Sequence, residues 1–112
     1  MRFHQFSAVQ HSQTVTLAGV IDELSVPELR TVLQHKADKG PLVVDLSQVE
    51  VLASVGVNEL VAALRRAPSD SPVTLRAVRG SIAQVVMEMN GLPHSAEASL
   101  SDEERSRQVE AF

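Results

Sequence analysis

The chain has 112 residues, 44% of them apolar, with ten Lys and Arg against fourteen Asp and Glu for a net charge of −4. That is material for one hydrophobic core, so residues 1–112 are expected to form a single domain. The absence of Cys removes disulfides, thiolate zinc sites and cysteine nucleophiles, and an acidic chain without Trp or Tyr argues against nucleic-acid binding, which depends on cations neutralising phosphates.

Val15 and Leu17 alternate with Thr14 and Thr16, the pattern of a strand with one buried face, and Gly19 closes it; Phe3–Val9 is a poorer strand candidate. Ser25-Val26-Pro27-Glu28 reads as a capping box in which the Ser25 hydroxyl accepts from the Glu28 amide, so a helix is expected with Val26, Leu29, Val32, Leu33 and Ala37 as its apolar stripe and Gly40-Pro41 as its end. Leu42–Leu46 has almost no polar alternation, the composition of a central strand covered on both faces.

After Leu52 the period lengthens, and Val57, Leu60, Val61 and Leu64 predict a helix over Val55–Arg66. Pro68–Pro72 is a loop, and Val73–Ala77 alternates as another strand. Ile82, Val85, Val86 and Met89 form a third helical stripe stopped by Asn90-Gly91, and Ser101-Asp102-Glu103-Glu104 is a second capping box that predicts a short final helix. The order gives an α/β fold: a mixed sheet of four to five strands flanked by about four helices. The longest apolar run, Leu60–Leu64, is five residues, too short to span a membrane, and Met1–Gln10 lacks the apolar stretch of a secretory signal. A cytoplasmic protein without direct membrane insertion is expected.

Few residues suggest chemistry. His4, His11, His35 and His94 lie far apart without metal-binding spacing, and the glycines form no phosphate cradle, so neither a metal nor a cofactor is expected. Leu52–Gly56 lacks the first glycine of a nucleophile elbow, which leaves an enzyme the poorest reading. Arg65, Arg66, Arg76 and Arg79 read as solvated cations at a helix end and around a turn, and Glu97 and Asp102–Glu104 as a solvated face. The one position that invites a functional reading is Ser54, between the strand-like Val49–Leu52 and the helix that opens near Gly56. A serine there is a natural N-cap, and Gly56 lets another backbone come close. A phosphoryl group on it would bring about 1.5 to 2 negative charges to a helix N-terminus, which accommodates anions, while a docked partner would meet new charge and bulk.

Three stretches in order, Thr14–Asp22, Val43–Val49 and Ser54–Leu60, with Ile82–Pro93 after them, resemble the successive signatures of STAS domains, the bacterial anti-sigma-factor antagonists, over roughly residues 10–105. The resemblance implies a STAS-like domain without catalytic activity or cofactor. Regulatory members bind an anti-sigma factor with serine-kinase activity and so free a sigma factor; the kinase phosphorylates a serine and a PP2C-type phosphatase restores it. Ser54 occupies the phosphoacceptor position, Asp45 matches the acidic residue ending the central strand, and Gly19 and Asp45 are expected to be structural. The implied docking face comprises Asp22, Ala53, Ser54, Val55, Gly56, Asn58 and Glu59, with Asn58 and Glu59 exposed on the first helical turn. Ala53 stands where the family usually has Asp, and Val55 where it usually has Ser or Thr. Members without the complete serine motif resemble subunits of lipid-transport ABC complexes and other scaffolds, which makes an unswitched adaptor the alternative expectation.

Overall fold

The computed structural model describes residues 3–37 and 40–98. Strand β1 (Ser7–His11) pairs antiparallel with β2 (Thr14–Ile21) through a tight turn in which Ser12 takes a left-handed φ of 57°. Helix α1 (Val26–Ala37), strand β3 (Leu42–Leu52), helix α2 (Ser54–Arg66), strand β4 (Val73–Val78), helix α3 (Ile82–Met89) and strand β5 (Ser95–Glu97) follow. The five strands lie in the order β1-β2-β3-β4-β5, with β2 to β5 all parallel. This is the expected mixed α/β architecture with three described helices; the second capping box and final helix fall at Ser101 and beyond, outside the described residues. No helix among the described residues is long and apolar enough to cross a membrane.

One core holds the helices against the sheet. Val15, Leu17 and Ile21 of β2, Val44 and Leu46 of β3 and Leu75 of β4 are almost wholly buried in a cluster with Leu29 and Leu33 of α1, Leu60 of α2 and Met87 of α3. Each such side chain stabilises the fold by about 1.5–3 kcal/mol relative to exposure.

Two expectations about the core need correction. Burial along β3 alternates strictly from Leu42 to Ser47, so one face lies in the core while Val43, Asp45 and Ser47 are only partly shielded. The run of apolar residues arises because Val43 adds a β-branched side chain to the open face, where it suits a pleated surface. The α3 stripe is the larger miss: Ile82, Val85 and Met89 are 57%, 44% and 81% exposed, whereas Ala83 and Met87 are buried and Val86 packs partly against the core. Both stripes satisfy a helical period, and the smaller one, with Ala83, allows α3 to approach the sheet closely.

Strand β3 is continuous from Leu42 to Leu52 where two separate strand-like pieces were expected. Its register with β2 explains the interruption in the pattern: Thr16 and Ala18 pair with Asp45 and Gln48, and Gly19 and Val20 with Val49 and Val51. Each step leaves one extra residue on β3, a β-bulge that shifts the alternation. Gly19 does not close β2, which continues to Ile21. Its φ is +84°, and a Cβ there would strike the backbone of His4 and Gln5 as the N-terminal segment crosses it and His4 accepts from the Val20 amide at 3.1 Å.

Candidate functional site

Because β2 to β5 run parallel, their C-terminal ends share one edge of the sheet, and the β2–α1 and β3–α2 turns meet there. The two turns are joined directly: the Ala53 amide donates to the Ile21 carbonyl at 2.9 Å. On the first turn, Asp22 accepts from the Leu24 amide through Oδ1 at 3.0 Å, a local bond that shapes the reversal of the chain. Ser25 is buried, and its hydroxyl accepts from the Asp22 amide at 2.9 Å while lying within donating distance of the Val20 and Asp22 carbonyls. The expected capping box is therefore replaced by a turn lock, with the hydroxyl facing back into the β2–α1 turn.

On the second turn, Ser54 is exposed and is the first residue of α2. It is not the N-cap. Ala53 holds that position in an extended conformation, and its methyl group provides no acceptor, so α2 starts without a side-chain cap. The Gly56 and Val57 amides instead both turn back onto the Ala53 carbonyl, at 2.9 and 3.1 Å. Gly56 is buried, and a Cβ on it would collide with Ile21 Cγ2 and press on Leu52 Cδ1. The close approach expected at this glycine is thus made by side chains of the strand ends rather than by another backbone. Ala53 and Val55 are half-buried and Asn58 is exposed.

Glu59 is not exposed as expected: its side chain is 13% accessible and its carboxylate receives both Nη2 and Nε of Arg30, at 2.6 and 3.1 Å, tying α2 to α1. The hydrogen bonds from Arg30 hold the Glu59 pKa below the usual glutamate value against the opposing effect of burial. Asp45 does not end its strand; it lies within β3, beside the first bulge. There it accepts from the Ser47 amide at 2.9 Å and pairs with Arg76 of β4 at 3.0 Å. Burial pushes its pKa up, but the Ser47 amide and the Arg76 guanidinium together bring it below the ordinary aspartate value. Arg76, which read as a solvated cation, is thus a structural partner across strands.

The docking set is therefore divided by the structure. Asp22, Ala53, Ser54 and Val55 lie on the two joined turns, Asn58 is exposed one turn further along α2, Gly56 packs underneath, and Glu59 is engaged by α1. The sequence reading missed the N-terminal segment. The backbone amide and Nδ1 of His4 bond Glu50 at the second bulge, at 2.8 and 2.9 Å. This places Phe3–Phe6 beside the β2–α1 turn, where Leu24 is 90% exposed and a groove of about 460 Å³ opens. No periodicity could show it, since these residues are in neither helix nor strand. Among the described residues there is no group of three or more His, Asp or Glu placed to hold a metal ion.

Comparison with known proteins gives a consistent picture. The family described as Mlab, STAS domain matches residues 4–94. No curated protein matched the sequence. Among solved structures, an anti-sigma factor antagonist from Mycobacterium paratuberculosis is similar with a TM-score of 0.69 at 24% identity, over 91% of this chain and 92% of that one. The anti-sigma factor antagonist SpoIIAA in its unphosphorylated form gives 0.65 at 17% identity, over 96% and 98% of the two chains. A chain of the Acinetobacter MlaFEDB complex in an ATP-bound conformation gives 0.53 at 23% identity, over 79% of this chain and 99% of that one. At these identities the likeness is one of fold.

Proposed function

The chain belongs to the STAS domain family, and from that premise we propose that it is an anti-sigma-factor antagonist, a binding module that sequesters an anti-sigma serine kinase, releases a sigma factor and is switched at Ser54. The observation that carries this reading is the position of Ser54: exposed, first in α2, and on the edge where two strand-to-helix turns meet. The kinase transfers the γ-phosphoryl group of ATP to the Ser54 Oγ as the hydroxyl proton leaves, and a PP2C-type phosphatase hydrolyses the ester. No residue of this chain has a catalytic role.

The physics of the switch follows from the uncapped helix. The Gly56 and Val57 amides turn back onto the Ala53 carbonyl while no side chain engages those of Ser54 and Val55, and a helix N-terminus accepts negative charge through its dipole and such free N–H groups. Phosphorylation therefore leaves the fold intact while placing about 1.5 to 2 negative charges in the docking surface. A thousandfold loss of partner affinity requires only about 4 kcal/mol. Incubation of the native chain and a Ser54→Ala variant with the anti-sigma kinase of the same organism and labelled ATP tests the acceptor. Label is expected on the native chain and none on the variant; equal labelling of both places the phosphoryl group elsewhere.

A second reading rests on Ala53 and Val55, which leave the serine without polar neighbours, and on the similarity to a chain of the MlaFEDB complex. In it the same edge docks permanently on a transporter ATPase of a lipid-transport complex, unswitched by phosphate. A stable complex with such an ATPase that survives Ser54→Asp favours this adaptor role.

A further inference from the structure

The groove beside the β2–α1 turn has an apolar floor and an acidic rim. Phe6 is buried at its base, Val20 forms a wall, and Phe3 and Leu24 stand over it 51% and 90% exposed. A leucine exposed to that degree gains nothing in the free chain, and with Phe3 it gives the open groove an apolar entrance that a partner's side chain could bury. Asp22 and Glu28 line the groove, and Glu23 is exposed on the turn between them. Among the described residues none of these three carboxylates has an ion-pair partner, whereas Asp45, Glu50 and Glu59 each have one. Three carboxylates without an ion-pair partner among the described residues thus surround the exposed Phe3 and Leu24, at the turn joined to the one that carries Ser54.

We propose that this groove is the affinity-determining half of the docking surface, and that the anti-sigma kinase fills it with an apolar side chain flanked by Lys or Arg. The inference rests on the function proposed above and adds the chemistry of the partner's contact. The apolar side chain displaces water from Phe3, Phe6 and Leu24, and the flanking cations meet Asp22, Glu23 and Glu28 at the rim, an arrangement that combines a buried anchor with electrostatic steering. Ser54 lies across the joined turns from the groove, so one partner spans both: the groove holds it, and a phosphoryl group at Ser54 expels it.

Leu24 and Glu28 are exposed, so substitutions there leave the core untouched. Titrate the purified anti-sigma kinase of the same organism with the native chain, Leu24→Asp, Glu28→Lys, Ser54→Asp and, as a control on another exposed apolar site, Met89→Asp. At least a tenfold loss of affinity is expected for Leu24→Asp. Glu28→Lys should weaken binding several-fold with a flatter salt dependence, and Met89→Asp should stay within twofold of native. If Leu24→Asp and Glu28→Lys bind as the native chain does while Ser54→Asp does not, the groove is overturned and the proposed function stands. If the Leu24 and Glu28 variants weaken binding while Ser54→Asp binds normally, the groove stands and the phosphate switch falls. A loss confined to Met89→Asp moves the contact to α3 and overturns the groove, and a native chain without affinity for the kinase overturns both inferences.

Discussion

Asp45 shows how one side chain serves both the backbone and the sheet. A bulge leaves an amide of β3 out of register; the Asp45 carboxylate accepts from it and at the same time binds Arg76 on the neighbouring strand. Replacing it with Ala removes the acceptor and leaves Arg76 unpaired, so Asp45→Ala is expected to cost about 1–2 kcal/mol in chemical denaturation at neutral pH. Since the native pKa of Asp45 is lowered, its contribution is present above the ordinary aspartate range and is lost as pH falls through the native value. The difference between the two proteins should accordingly shrink on acidification; a difference that grows would contradict the assignment. His4 and Glu50 set an opposite pair of limits. The hydrogen bond to Glu50 raises the His4 pKa, and the bonds from His4 lower that of Glu50. The contact is therefore strongest between the two titrations, fading as pH rises through the native His4 value and again as it falls through that of Glu50. The protection of the Val20 amide, whose N–H is held by the His4 carbonyl, taken as its exchange rate relative to the intrinsic rate at each pH, should be greatest in that window and smaller on both sides.

At the scale of elements, glycine sets how closely segments approach. Gly19 combines a left-handed φ with direct backbone contact, so Gly19→Ala is strained twice over and should cost more than the about 1–2 kcal/mol of the conformation alone. Gly56 has ordinary backbone geometry but no room, because its would-be Cβ meets Ile21 near the backbone rather than at a flexible tip. Gly56→Ala should destabilise by about 1–3 kcal/mol, measured by thermal or denaturant unfolding, and an unchanged stability would show that α2 can shift away from β2. Helix α3 marks the limit of reading elements from sequence. Its position and ends were legible from the 3.6-residue period and the Asn90-Gly91 stop, but two stripes compete, and the bulkier one is outside. Met87→Ala should therefore cost about 2–4 kcal/mol, while Met89→Ala should be nearly neutral, the reverse of what apolar periodicity alone suggests. Caps behaved similarly: Ser25 and Ser54 have the right identity for N-caps, yet the first hydroxyl faces back into its turn and the second begins one residue inside the helix.

Taken as a whole molecule, the arrangement puts the core on one side of the sheet and two connected turns at its parallel end. The order from β2 to α3 was legible because period-2 and period-3.6 patterns alternate along the chain, whereas β1 begins at Ser7, later than the Phe3–Val9 candidate, and the three-residue β5 has no β-branched residue to mark it. The bulges in β3 were not legible, because a register shift depends on the partner strand. Of the candidate site, Ser54 could be located from its place between elements and Asp22 from the family resemblance, whereas the involvement of Arg30 with Glu59 and the groove under Leu24 arise from contacts distant in sequence. The central claim is that a phosphoryl group on Ser54 controls docking. Its most direct measurement is the affinity of the anti-sigma kinase for the chain carrying phosphoserine at position 54, compared with the unmodified chain at the same salt. A loss of at least a hundredfold in affinity with an unchanged unfolding midpoint is expected; equal affinities would contradict the account.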